Sequence, residues 1–229
     1  MKIGGFQKVS LIDYPGKICA IVFTRGCNFR CPYCHNPELV LPENYSPLIP
    51  EEEIFSFLEK RRGKLDAVEI TGGEPTLQED LTEFIRKIKE MGFLVKLDTN
   101  GSFPSVLEKV IHSGLVDYIA MDVKAPLEKY RQVTHSEIDT DKIRQSIELI
   151  KNSGINYEFR TTVVKSLLSE NDILKIGELV KGAELYVLQK FIASKTIDPD
   201  FKEEETYSDE ELKKIKEKLG KYVRNCSIR

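Results

Sequence analysis

Six short runs rich in β-branched and aromatic residues recur along this 229-residue chain: ICAIVF (18–23), AVEI (67–70), FLVKLD (93–98), YIAMDV (118–123), YEFRTTVV (157–164) and LYVLQKF (185–191). Amphipathic segments with legible ends separate them. Pro50 followed by Glu51, Glu52 and Glu53 opens one helix, and Lys60, Arg61, Arg62 and Gly63 close it, as the helix dipole favours. Thr76 with Glu79 predicts a capping box ahead of Leu81, Phe84, Ile85 and Ile88, with Gly92 as the stop. Ser102 and Gly114, Thr140 and Gly154, Ser169 and Gly182, and Ser208 and Gly220 frame four more helices. Strand followed by helix, about six times over, predicts an α/β fold with a parallel sheet and crossover helices. No repeat, low-complexity tract or linker interrupts the pattern, so a single domain over 1–229 is expected, with an N-terminal extension over about residues 1–16.

An open doubly wound sheet and a partial barrel both satisfy this alternation, and side-chain polarity decides between them. Strands covered by helices on both faces are apolar on both faces. Here alternate positions are ionisable or polar: Glu69 and Thr71 on the second strand, Lys96 and Asp98 on the third, Asp122 and Lys124 on the fourth, Arg160 on the fifth and Gln189 on the sixth. Those residues cluster toward the C-terminal strand ends, where barrel enzymes keep their sites. The expectation is a partial (βα)6 TIM-like barrel, open on one side.

Composition excludes several functions. A formal net charge of −3 gives no electrostatic case for nucleic acid or an anionic membrane as partner. No run approaches the roughly 20 apolar residues of a membrane span, and the N-terminus has no signal-peptide pattern, so a cytoplasmic location is expected. Three longer connections stand out, the cysteine loop with its continuation to Pro50, 125–138 and 192–207, and the first and third exceed the usual connection length, which marks them as functional candidates.

Three of the five cysteines, Cys27, Cys31 and Cys34, fall within a loop at 25–36, RGCNFRCPYCHN. The spacing is C-x-x-x-C-x-x-C. Structural free cysteines rarely crowd so closely. A zinc site completed by His35 is a second reading, since zinc accepts three thiolates and an imidazole, although adjacent Cys34 and His35 strain as co-ligands. The third is a 4Fe–4S cluster, whose four irons usually take four thiolates. Three thiolates leave one iron open, the arrangement of a reactive rather than a structural metal centre.

With an aromatic residue, Tyr33, before the last cysteine, this loop resembles the signature of the radical S-adenosylmethionine superfamily. The resemblance implies that the amino group and carboxylate of S-adenosylmethionine chelate the open iron, and that reductive cleavage yields a 5′-deoxyadenosyl radical. TGGEP (71–75) is similar to the family's glycine-rich motif, which implies cofactor contacts from Gly72, Gly73 and Glu74. LDTNG (97–101) and DVK (122–124) resemble segments lining the cofactor in glycyl-radical activating enzymes. By that likeness Asp98, Thr99, Asp122, Lys124, Arg160 and Gln189 join the cofactor site, and Asp98 and Asp122 could share a monovalent cation. An ion-pair network is the alternative account of the charged members.

Within the superfamily, residues 10–39 and the motifs TGGEPTLQ, MDVKAPLEKY and YVLQKF resemble anaerobic ribonucleoside-triphosphate reductase activating proteins in order and over nearly the whole chain. The implied partners are the glycyl-radical subunit of that reductase and a flavodoxin- or ferredoxin-type electron donor. Asp13 matches an aspartate near the target glycine in related activases, with Tyr14 in place of their glycine, and Asn36 belongs to the shared CHNP segment. Cys19 reads as a small buried hydrophobe, Cys226 has no assigned role, and two distant thiols cannot hold a second cluster.

Overall fold

A computed structural model describes residues 1–229. Its strands are β1 (Ile3–Ser10), β2 (Cys19–Thr24), β3 (Ala67–Gly72), β4 (Leu94–Thr99), β5 (Tyr118–Asp122), β6 (Asn156–Val163), β7 (Tyr186–Lys190) and β8 (Cys226–Ile228). Its helices are α1 (Pro37–Val40), α2 (Glu51–Glu59), α3 (Leu81–Glu90), α4 (Pro104–His112), α5 (Tyr130–Thr134), α6 (Thr140–Lys151), α7 (Glu170–Leu179) and α8 (Asp209–Leu219). The strands are hydrogen-bonded in chain order in one sheet, which is not closed. β1 runs antiparallel to β2, whereas β2–β3, β3–β4, β6–β7 and β7–β8 are parallel pairs. The α/β class, the parallel order and all six expected strands are present. β1 and β8 are additional. β1 carries two glycines and a polar run that mask its period, and β8 is three residues long, too short for a pattern to register. No helix is long and apolar enough to cross a membrane.

The chain forms two compact units, each assembled from three segments. The first takes Met1–Asn28, Glu38–Thr99 and Ser105–Ile119. Its α3 buries Leu81, Phe84, Ile85 and Ile88, a single stripe at i, i+3, i+4 and i+7. The capping box expected from Thr76 and Glu79 does not form. Pro75 starts a separate 3-10 turn, Pro75–Leu77, in which the Glu74 carboxylate accepts the Thr76 N–H, and α3 begins later behind Asp80 without a side-chain cap.

The second unit takes Phe29–Pro37, Asn100–Pro104 and Ala120–Arg229. Reciprocal capping boxes start α7 (Ser169 with Asp172) and α8 (Ser208 with Glu211), and Asp139 rather than Thr140 caps α6. Tyr130 and Tyr186 are fully buried, and the Tyr186 hydroxyl donates to Thr161 Oγ1 at 2.8 Å. Gly101 turns the chain with φ +74°, and its carbonyl accepts the Ser146 hydroxyl at 2.7 Å. A Cβ at this position would lie 2.0 Å from Met121 Cε and 2.8 Å from its sulfur. Gly101→Ala should therefore combine left-handed strain with overpacking and cost about 2–4 kcal/mol in urea denaturation. A loss below about 0.5 kcal/mol would show that the turn and Met121 relax freely.

Candidate active site

The base of the cysteine loop is tied in the first unit by backbone groups. Gly26, at φ +100°, donates its N–H to Leu39 O at 2.7 Å, and Arg25 donates to Lys2 O at 2.8 Å. The Gln78 amide donates to Arg25 O at 3.1 Å and accepts from Lys2 N–H at 3.1 Å. At the C-terminal end of β3, Gly73 N–H reaches Thr24 O at 2.9 Å and Glu74 N–H reaches Gly26 O at 2.8 Å. Both glycines of the TGGEP turn are required by space. Gly72 has φ +111° and a Cβ there would sit 2.5 Å from Thr24 N, while a Cβ on Gly73 would sit 2.0 Å from Gly26 O. The glycine pair thus welds the strand end to the loop that carries the thiols.

Glu74, fully buried, is held by its own turn and by β4. Its Oε1 accepts from Thr76 N–H at 3.0 Å, from the Thr76 hydroxyl and from the Thr99 hydroxyl at 2.7 Å. Beside it, Lys96 is completely buried between two carboxylates. Its ammonium donates to Glu69 Oε1 at 2.8 Å and Asp98 Oδ1 at 2.6 Å, and the Thr71 hydroxyl reaches Asp98 Oδ2 at 3.5 Å. The register of β3 on β4, Glu69 opposite Lys96, makes this arrangement possible. One cation cannot balance two buried anions. Burial above all, then the Asp98 charge, pushes the Glu69 carboxyl up to about 9 against the opposing pull of Lys96, and its Oε2 has no hydrogen-bond partner.

In the second unit Cys31 and Tyr33 are buried and Cys34 is half-buried, with Cys34 N–H closing a turn on Cys31 O at 3.0 Å. Burial pushes the Cys31 thiol up to about 11, opposed by Lys124, so a bound metal is needed to hold it as thiolate near neutral pH. Arg160 Nε donates to Asp122 Oδ1 at 2.9 Å, and Lys124 Nζ donates to Asp122 Oδ2 at 3.0 Å. Burial opposes ionisation of Asp122, yet Arg160 and Lys124 together hold it well below the usual carboxylate range. Tyr130 anchors the segment by accepting Lys124 N–H at 3.1 Å.

Gln189 is half-buried and in register with Thr162, so it shares a face with Arg160. Asn36 is half-buried just before α1. Asp13 is half-buried and accepts from the Ser10 hydroxyl within a local turn, while Tyr14 is buried against Tyr118 with ring centroids 5.5 Å apart. His35 stacks on Phe191 at 5.5 Å and its Nε2 lies 2.9 Å from Ile192 O, which removes that nitrogen as a zinc ligand. Cys19 is fully buried, as expected of a small hydrophobe. Apart from the polar pair in TLQ, directly after the glycine turn, the sequence gives no sign that Thr76, expected there as a helix cap, and Gln78 hold Glu74 and the loop base. Nor does it mark Arg229, which pairs with Glu158 through both terminal nitrogens.

No group of three or more His, Cys, Asp or Glu side chains stands in metal-holding geometry. The fit to an iron–sulfur cluster rests instead on the donor set, three thiols on one loop, and on the glycine cradle beneath that loop.

A model of the Radical SAM superfamily matches residues 21–180. A Methanocaldococcus jannaschii protein named "Putative glycyl-radical enzyme activating enzyme" is 38% identical over 232 residues, covering 99% of this chain and 95% of its own. The pyruvate formate-lyase-activating enzyme of Clostridium pasteurianum is 28% identical over 190 residues, covering 79% of this chain and 76% of its own. A solved domain of pyruvate-formate lyase-activating enzyme from Bacteroides vulgatus shares the fold with a TM-score of 0.57 at 17% identity, over 72% of this chain and 99% of that one.

The buried Glu69–Lys96–Asp98 group sets a pH dependence. Folded Glu69 keeps a proton that the unfolded chain, at about 4.5, releases, so stability should fall as pH rises from about 4.5 toward about 9. Glu69→Gln cannot ionise and should flatten that slope in thermal melts across this range. Parallel wild-type and variant curves would mean that Glu69 is already ionised in the folded protein.

Proposed function

Because the chain belongs to the radical S-adenosylmethionine superfamily, we propose that it is a glycyl-radical activating enzyme acting on anaerobic ribonucleoside-triphosphate reductase. The family implies a 4Fe–4S cluster and S-adenosylmethionine as its cofactors. The observation that carries the reading is the weld of the cysteine loop to the glycine turn, which seats Glu74 directly behind the loop base. Full-length similarity to a relative named as an activating enzyme supports the reaction class, and the resemblance of residues 10–39 to reductase activators supports the partner.

In this proposal Cys27, Cys31 and Cys34 would hold the cluster, whose chemistry would be to pass one electron from a flavodoxin- or ferredoxin-type donor to S-adenosylmethionine. Glu74, immobilised by Thr76 and Thr99, offers a fixed acceptor to the methionine ammonium. The Gly73 and Glu74 N–H groups are already spent on Thr24 O and Gly26 O, so the turn contributes carbonyls and carboxylate, the groups an ammonium needs. Arg160 and Lys124 offer cations to the methionine carboxylate and hydrogen bonds to the ribose, and Asp122 keeps both charged and aligned. Bound there, S-adenosylmethionine would supply the radical chemistry that removes a hydrogen atom from a glycine Cα of the partner. A monovalent cation is not part of the proposal, because Lys96 already serves Asp98, and Arg160 and Lys124 serve Asp122. Asp13, Asn36, Tyr33 and Gln189 border the chemistry as positioning groups, and the protein's work is orientation and exclusion of water rather than acid–base catalysis.

Anaerobic reconstitution should load about four irons per chain. Alanine at Cys27, Cys31 or Cys34 should each abolish loading, while Cys226→Ala should retain it. Stoichiometric zinc with no iron uptake would end the cluster assignment.

With S-adenosylmethionine and a reductant the loaded protein should release 5′-deoxyadenosine, and addition of an anaerobic ribonucleotide reductase should give a glycyl-radical signal in electron paramagnetic resonance. Glu74→Ala should keep its iron and weaken S-adenosylmethionine binding by roughly ten- to a hundredfold, the loss of a charge-assisted hydrogen bond. Cleavage with no radical on the reductase would dismiss the partner while leaving the superfamily chemistry intact.

A further inference from the structure

A line of alternating charges runs through the second unit from its final residue to Lys124. Arg229 donates from Nη1 to Glu158 Oε1 at 2.8 Å and from Nη2 to Oε2 at 2.7 Å, a bidentate pair. Glu158 is fully buried. Two residues on along β6, on the same face, the Arg160 Nη1 stands 4.0 Å from Glu158 Oε1, beyond hydrogen-bond reach, while its Nε donates to Asp122 at 2.9 Å. Asp122 in turn holds Lys124 at 3.0 Å. Arg229 is itself fixed by the backbone: it donates to Leu188 O at 2.9 Å and accepts from Lys190 N–H at 2.8 Å.

The geometry presents Glu158 with two guanidinium groups: it holds Arg229 by two hydrogen bonds and meets Arg160 only at an ion-pair distance of 4.0 Å. Both of its oxygens face Arg229, which leaves Arg160 aligned on Asp122. A buried carboxylate stripped of its fork-shaped partner seeks another cation, and Arg160 is the arginine within 4.0 Å. Turning toward Glu158 would draw Arg160 off Asp122.

We propose that Arg229 is a positioning residue for S-adenosylmethionine binding: by satisfying Glu158 it keeps Arg160 on Asp122 and turned toward the methionine carboxylate. This rests on the reading of Arg160 under Proposed function. A simple staple of β8 to β6 is the competing role, and the two differ in what happens when the Glu158 charge is also removed.

The test compares Arg229→Gln, Arg229→Lys, Glu158→Gln and the double variant Glu158→Gln/Arg229→Gln. Equilibrium binding of S-adenosylmethionine to the reconstituted proteins should weaken at least about tenfold in Arg229→Gln at unchanged iron content, and less in Arg229→Lys. The double variant should recover to within about threefold of wild type, because the misdirecting charge is gone. A staple would leave the double variant as weak as Arg229→Gln, and that result would overturn the proposal. If Arg229→Gln does not fold, the double variant is compared with Glu158→Gln, and a tenfold gap between them overturns it equally. A second readout needs no cofactor. The Arg160 Nε–H resonance in nitrogen-15 NMR of the metal-free protein, assigned by its loss in Arg160→Lys, should shift in Arg229→Gln and return in the double variant. An unmoved resonance would sink the proposal, whereas wild-type protein that binds no S-adenosylmethionine while the resonance moves as expected would sink the functional reading and the cofactor role with it, leaving only the control of Arg160 by Arg229.

Discussion

A single missing methyl group organises the first unit. Gly26 O occupies the space where a side chain on Gly73 would begin, at 2.0 Å from the ideal Cβ position. Since carbonyl and strand are both backbone, no rotamer change can relieve that contact, and a larger residue has to move one segment or the other. The hydrogen bonds of Gly73 and Glu74 to Thr24 O and Gly26 O depend on the same approach. So does the 3-10 turn, whose cap Glu74 is positioned by the strand end. The orientation of the loop base and of Glu74 are therefore one constraint.

Each unit handles its buried charge in its own way. In the first, one lysine serves two carboxylates, and the surplus is relieved by a proton retained on Glu69. In the second, cations and anions alternate, so Asp122 stays ionised through Arg160 and Lys124, while Glu158 pairs with Arg229 through both oxygens. The second solution is less sensitive to pH near neutrality but needs every member in place, since removing one leaves its neighbour buried and uncompensated. Buried ion pairs of this kind do little for net stability and are better understood as fixing orientation.

Much of this was legible in the sequence, for identifiable reasons. The six central strands have the apolar runs that burial demands, and Glu69, Lys96, Asp98, Asp122 and Arg160 stood out as charges at alternate positions within them. The three-cysteine spacing and the glycine turn were equally visible because each is local. What escaped were features defined by partners far away in the chain. Thr76 looked like a helix cap because its spacing to Glu79 fits one, but Pro75 and the Glu74 carboxylate capture it first. Gln78 and Arg229 carry no local pattern; only folding brings them to Arg25 and Glu158. Asp13, matched by likeness alone, is held by nearby Ser10 in a local turn.

The attachment of segment 192–198 to the cysteine loop bears on how the protein is made. Ile197 N–H bonds to Cys34 O and Asp198 N–H to Pro32 O, both at 3.0 Å, and His35 stacks on Phe191. These partners emerge from the ribosome late, long after the cysteines themselves. A nascent chain therefore exposes its three thiols before the backbone that braces Cys34 and Pro32 has been synthesised. Oxidants and stray metals reach the thiols most easily in that interval, before the brace exists.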